Sequence, residues 1–369
     1  MGRPPGAKQL ELIPRSKNPL LVLDSNHRLV LLTDALDWLE LEAKAQDIRR
    51  KKLKSRAGRP PNLRALLGAV IFMSMRRVPY RDAEDLLRHY APARYLCDLT
   101  ESTWTPDFTT IHNFTKLMGP LGLAELNEMA VKMAVEQGFA DPGSLVADTT
   151  VQEAHMSYPT EVGLLDKLLG VVDTLVPQIE YWLESGYVAK KKIVNLAMPL
   201  LRSIPRGKVG KDVEFGIKWG ISRVGGGFVF GSADAAHGNF NDQKYVRRSV
   251  EHHTKLFGAV PDAFAFDRGG WSPANNDYLG AVGVRHNGIF PQGRAPWRVD
   301  GKVKQRLVKQ RARIEGDIGA IKSARYGFNR PAARSEAMMV ACGQRAMLGY
   351  NLNKLVRMLG QRAELAITG

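Results

Sequence analysis

A chain of 369 residues has room for two or three domains, each with its own core. Hydrophobic and charged fractions of 44% and 24% are those of a globular protein, and no run of about 18 apolar residues offers a membrane span. Lys+Arg 53 against Asp+Glu 37 gives a formal charge of +16, which points to a polyanionic partner, nucleic acid first.

The two cysteines, Cys97 and Cys342, exclude a disulfide framework, and no CxxC pair marks zinc. The N-terminus lacks the apolar stretch of a signal peptide, so the expected location is cytoplasmic. Residues 20–48 place Leu32, Leu36, Trp38, Leu39 and Leu41 at spacings that suit a short helix. The basic run Arg49, Arg50, Lys51, Lys52, Lys54, Arg56 and Arg59, closed by Pro60-Pro61, reads as an exposed connection suited to phosphates. From 62 to 120 the pattern is helical throughout. An Asp or Thr N-cap is expected in Pro106-Asp107-Phe108-Thr109-Thr110, ahead of Asn113. Such a succession of short helices fits a helix-turn-helix reader of DNA and, equally, a plain helical bundle.

At Ser144 the texture changes. Leu145-Val146-Ala147 is a short apolar strand running into Asp148. Residues 163–183 return to helical spacing, and Val213–Ala235 reads as strands around a Gly225-Gly226-Gly227 turn. A helix is expected over about 242–258, followed by Ala263-Phe264-Ala265-Phe266, a buried strand that ends in Asp267. His252-His253 falls on the surface of that helix, while His155 and His237 show no metal-ligand spacing. Between Trp297 and Arg334 there are eleven Lys/Arg and three Asp/Glu, a net of 11 − 3 = +8. The last helix, 335–359, has core spacing.

A carboxylate ending an apolar strand must be solvated, paired or bound to a cation. Asp148 and Asp267 are two such groups in one α/β region, and a third carboxylate lies on the basic helix 302–324. At roughly 100° per residue, Val303, Leu307, Ile314, Ile318 and Ile321 share a stripe about 60° wide. Arg311, Glu315 and Lys322 fall within about 40° of one another at its edge, whereas Asp317 lies about 160° from Glu315.

These motifs resemble the DDE transposases of bacterial insertion sequences, in the branch with a Tyr-Arg-Glu-Lys signature. Asp148-Thr149-Thr150-Val151-Gln152-Glu153 with Tyr158-Pro159-Thr160 is similar to the first-aspartate motif, and Asp267-Arg268-Gly269 to the second. Arg311-x-x-Ile314-Glu315-x-x-Ile318-Gly319-x-x-Lys322 resembles the third, and Gly349-Tyr350-Asn351-Leu352 the closing helix. Leu36-Asp37-Trp38, Gly58-Arg59-Pro60 and Pro106-Asp107-x-Thr109-Thr110 match the N-terminal region, so the likeness runs from about 28 to 358. Two departures stand out: Val308 occupies the position of the signature tyrosine, and the aromatic after Asp-Arg-Gly is shifted to Trp271.

The resemblance implies an α/β fold: an RNase H-like mixed-sheet catalytic core with an inserted helical segment, preceded by an all-helical DNA-binding region. The expected domains are an N-terminal helix and basic linker (1–61), a helical DNA-binding domain (62–140), a catalytic domain (141–335, insertion about 163–205) and a C-terminal helix (336–369). It further implies that Asp148, Asp267 and Glu315 are catalytic and hold two Mg²⁺ ions, with Mn²⁺ able to substitute, for cleavage and strand transfer. DNA contacts are expected from Arg311, Lys322, Arg313, Arg268, Arg49, Arg50, Lys51, Lys52, Thr109, Thr110 and Asn113. The partners would be terminal inverted repeats and target DNA, bound by a homodimer at the bacterial nucleoid. An RNase H-like nuclease and a catalytically silent DNA-binding regulator are the competing readings.

Overall fold

The computed structural model describes residues 23–53, 60–155, 165, 168–189, 192–193, 201–208, 211–234, 240–291, 297, 299–333 and 335–368. The expectations for Lys54, Arg56, Arg59, Tyr158-Pro159-Thr160 and His237 lie outside them. The chain forms two compact units, Met1–Asp141 with Arg345–Gly369, and Pro142–Gln344. Among the described residues no helix is long and apolar enough to cross a membrane.

The described part of the first unit is helical. In order come α1 (Arg28–Ala35), α2 (Trp38–Lys52), α3 (Leu63–Arg76), α4 (Tyr80–His89), α5 (Ala91–Leu96) and α6 (Phe108–Glu136). The one short helix expected over 20–48 is two, because Asp37 accepts from the Glu40 N–H at 3.0 Å and starts a new helix there. Arg49–Lys52, expected in an exposed connection, are largely exposed but helical. They are the last turn of α2, where four cations face the negative end of the helix dipole. Helix α3 is buried from Ala65 through Met75 and forms the centre of the unit. Helix α6 begins on the expected cap, Asp107, which accepts from the Thr110 N–H (2.8 Å) and hydroxyl (2.9 Å). It breaks at Gly119 (φ 62°) before Pro120, which has no N–H to offer. The carbonyls left over there are taken up by Lys52, whose Nζ donates to Leu117 O (2.7 Å) and Met118 O (3.1 Å).

The closing helix α11 (Glu336–Thr368) gives its residues from Arg345 onward to this unit. Its Gly-Tyr-Asn-Leu motif is packing glue. A Cβ on Gly349 would stand 2.1 Å from Ser74 O, so only glycine lets α11 come this close to α3. Asn351 donates to Asn127 Oδ1 at 2.7 Å and Asn353 to Met75 O at 3.0 Å, all buried.

Among the described residues, the second unit is built on a six-stranded sheet of order β2-β3-β1-β5-β6, with β4 paired to β3. Its strands are β1 (Asp141–Glu153), β2 (Arg202–Lys208), β3 (Lys211–Gly225), β4 (Val229–Ala233), β5 (Ala263–Ala265) and β6 (His286–Asn287). Strand β1 is parallel to β5, and β5 to β6; β3 is antiparallel to β2 and β4. The β3–β4 turn is the expected glycine turn, with Gly226 (φ 82°) and Gly227 (φ 85°) both left-handed. Helices α7 (Val172–Ser185), α8 (Gln243–Phe257), α9 (Pro273–Ala281) and α10 (Gly301–Lys322) complete the unit. The segment read as helical insertion to about 205 contains β2 from Arg202, and α7 buries none of its residues.

Trp219, Phe228, Phe230, Phe264, Phe266 and Phe328 are fully buried and form the core. Gln152, wholly buried on β1, donates to Phe328 O and Met339 O (3.0 and 2.8 Å) and accepts from the Trp219 indole (2.9 Å). His253, expected on a helix surface, is buried instead. Its ring nitrogens lie 2.8 Å from Pro142 O and 3.2 Å from Ala259 O, and burial holds its pKa below the ordinary histidine value.

Candidate functional site

Asp148 is not a strand-end residue, since β1 runs on to Glu153. What ends near it is the parallel partner. The β1–β5 pairing joins Ser144 to Ala263, Leu145 to Phe264 and Val146 to Ala265. Continued two residues further, past the end of β5 at Ala265, the same register would align Asp148 with Asp267. Asp148 thus lies inside β1, near where its parallel partner β5 ends, and Asp267 follows the end of β5 by two residues. Asp148 Oδ1 accepts from the Thr149 N–H at 2.7 Å.

Helix α10 packs on β5 and carries the third carboxylate. The Ser144 hydroxyl donates to Gln310 Oε1 at 3.0 Å, and Lys322 Nζ donates to Thr150 Oγ1 at 3.1 Å. Twelve helical residues rise about 18 Å and six strand residues about 20 Å, so α10 runs alongside β1 in the same direction. Leu307, Ile314, Ile318 and Ile321 are its buried face, as the stripe predicts, while Val303 is only half-buried. Asp317 is used on the far side, in an ion pair with Arg223 of β3 that is almost sealed from solvent. Glu315 is exposed and, among the described residues, has no ion-pair partner. Arg311 is half-buried and its charge reaches Asp267. Arg313 is exposed, and Arg268 is exposed with its guanidinium 5.6 Å from the Phe290 ring centre. Among the described residues no three His, Cys, Asp or Glu side chains converge closely enough to hold a metal ion between them.

One carboxylate beside this site escaped the sequence reading. Asp242 stands just before α8, where an aspartate reads as an ordinary N-cap, yet its backbone is already helical and the cap is Asn241, whose Oδ1 accepts from the Gln243 N–H at 3.2 Å. Asp242 Oδ1 instead takes Lys218 Nζ at 2.7 Å and the Thr149 hydroxyl at 3.0 Å. A Cβ on Gly269 would lie 3.1 Å from Asp267 Oδ1, 3.2 Å from Asp242 Oδ2 and 3.5 Å from Asp267 Oδ2. The glycine of Asp-Arg-Gly thus leaves open a cradle walled by two carboxylates. Asp267 Oδ1 is buried there with no hydrogen-bond partner. Burial first, then the neighbouring Asp242, pushes the Asp267 carboxyl above the usual carboxylate range. Arg311 and the Gly269 and Gly270 N–H groups pull the other way. An orphaned anionic oxygen facing a second carboxylate is a place where a hard cation fits.

On the first unit, Thr109, His112, Asn113 and Lys116 are exposed along one face of α6 at i, i+3, i+4 and i+7. The Thr110 hydroxyl is committed to the cap and Lys52 to the α6 carbonyls. Arg49 is half-buried, Arg50 is exposed, and Lys51 is exposed in a pair with Asp47 at 2.7 Å.

Residues 21–117 match the model of a family described as a transposase domain (DUF772), about a quarter of the chain. The match supports a transposase, an enzyme that cuts DNA, and DNA as the partner. No curated protein and no solved structure matches the chain.

Proposed function

We propose that the protein is a DDE-type DNA transposase. It would bind the terminal inverted repeats of an insertion sequence through its first unit, and cleave the ends and join them to target DNA at the Asp148–Asp267 site. The observation that carries this reading is the β1–β5 register over Ser144–Val146, which, carried on two residues, would align the two aspartates, with α10 packed on β5. The strand order β2-β3-β1-β5-β6 with β4 on β3, antiparallel at β2–β3 and β3–β4 and parallel at β1–β5–β6, supports an RNase H-like core.

Asp148, Asp267 and Glu315 would hold Mg²⁺, or Mn²⁺ in its place. Two such ions, if held there, would supply charge stabilisation to the oxygens of a phosphoryl displacement. The chain's own groups do the rest. Arg311, close enough for its charge to act on Asp267, and Lys322, tied to Thr150 on β1, grip the phosphates flanking the scissile bond. Ile314 and Ile318 bury the helix on either side of Glu315 and fix its rotation, and the Asp317–Arg223 pair holds the opposite edge. The exposed face of α6, led by Thr109 and Asn113, enters a groove of the repeat, with Arg50 and Arg49 on its phosphates. Two copies are needed to hold two ends, so the working form is a homodimer on DNA.

The reading is tested with purified protein, Mg²⁺ and a duplex ending in the element's own repeat. Nicking at the repeat boundary that leaves a free 3′-hydroxyl, followed by joining to a second duplex, is expected. Binding without nicking would reduce the protein to a repeat-binding regulator, and nicking without joining to a nuclease.

A further inference from the structure

We propose that Asp242 is a positioning residue of the cation site, raising the affinity of Asp267 for divalent ions. The inference rests on the reading of Asp267 as a cation ligand, and concerns a residue outside the three carboxylates of that reading.

Three observations carry it. The first is that Asp242, already helical in its backbone, is not the cap of α8: Asn241 Oδ1 accepts from the Gln243 N–H at 3.2 Å, and the Asp242 carboxylate serves another purpose. It is held by Lys218 Nζ and the Thr149 hydroxyl. The second is the way it is held. Lys218 is nearly buried and also donates to Phe240 O at 2.6 Å, so the ammonium is fixed from two sides and fixes Asp242 in turn. Both anchors bind Oδ1. The third is where the other oxygen goes. Oδ2 shares the Gly269 cradle with both oxygens of Asp267, one of which is buried without a partner. A structural ion pair would have no need to leave its second oxygen against another carboxylate. Two fixed negative groups around one small space repel each other until a cation enters, and the closer they are held the more strongly they draw it. Thr149, next in sequence to Asp148, links this anchoring to the first aspartate's own strand.

The test is Mn²⁺ binding to the full-length protein without DNA, followed by the electron paramagnetic resonance signal of the free ion. Asp242→Asn keeps the side chain's shape and an oxygen for Lys218 and Thr149, and is expected to weaken Mn²⁺ binding roughly tenfold or more. A purely structural Lys218–Asp242 pair would leave the affinity unchanged, and an unchanged value overturns the proposal. Should Asp242→Asn fail to fold, Thr149→Val takes its place. It removes one anchor and no charge, and a weakening of about two- to threefold is expected, with wild-type affinity again counting against the proposal. Asp267→Asn separates the two levels of the argument. If it binds Mn²⁺ as the wild type does, or if the wild type binds none, Asp267 is no cation ligand and the underlying reading falls. If it loses binding while Asp242→Asn retains it, only the role of Asp242 falls.

Discussion

Asp267→Asn should make the metal-free protein more stable. Asp267 Oδ1 is buried with no hydrogen-bond partner and shares its cradle with Asp242, so the ionised carboxylate is a liability to the fold. An unsatisfied buried polar group costs about 1–3 kcal/mol. Because the side chain keeps some solvent contact and Arg311 offsets part of the repulsion, about 1 kcal/mol is the expected gain on neutralising it. In a unit of about 200 residues that raises Tm by roughly 2–4 °C. The direction of its pH dependence follows from the raised pKa. The folded carboxyl binds its proton more tightly than the unfolded one. The native state therefore loses stability as pH rises through the usual carboxylate range towards the folded pKa. The advantage of asparagine should accordingly be full at pH 7–8 and vanish at acid pH, where both side chains are neutral. Differential scanning calorimetry in EDTA at the two pH values measures this. A variant less stable than wild type at neutral pH would refute the claim that burial and Asp242 outweigh Arg311 at the Asp267 carboxylate.

Other consequences are more local. Arg223→Leu removes the ion pair from the part-buried Asp317 and should cost roughly 3 kcal/mol in urea unfolding, much of it recovered in the Arg223→Leu/Asp317→Leu double variant. Gly349→Ala drives a methyl into the Ser74 carbonyl and should destabilise the first unit by about 2–3 kcal/mol, read from its thermal transition. Arg50→Gln should weaken repeat binding at low salt and reduce the slope of log K against log salt by about one. Asn113→Ala should instead lower the preference for repeat over random DNA, by roughly 1–3 kcal/mol in competition binding.

Much of the site could be read from the chain because its signals are local. Apolar runs ending in acids located β1 and β5, and a 100° wheel separated Glu315 from Asp317, which the Arg223 pair now accounts for. Pairing is not local. Nothing in Leu-Val-Ala-Asp says that β1 continues past Asp148 along β3 after losing β5, so the strand was cut short. Asp242 was hidden for the same reason. Its position spells a helix cap, and only the fold brings Lys218, Thr149 and Gly269 around it. Helical propensity was outvoted by charge at Arg49–Lys52, where a cluster of cations read as linker is the favourable end of α2.

DNA cleavage by matched single variants tests the proposed carboxylates most directly. Wild type, Asp148→Asn, Asp267→Asn, Glu315→Gln and Asp317→Asn would be compared on a duplex carrying the terminal repeat, with Mg²⁺, after gel-shift binding has been equalised. The three proposed catalytic variants should bind normally and cut at least about a thousandfold more slowly, while Asp317→Asn cuts at near the wild-type rate. Cleavage at the wild-type rate by Asp148→Asn, Asp267→Asn or Glu315→Gln would contradict the assignment of that carboxylate. An inactive Asp317→Asn beside an active Glu315→Gln would contradict the orientation of α10 on which the site is built.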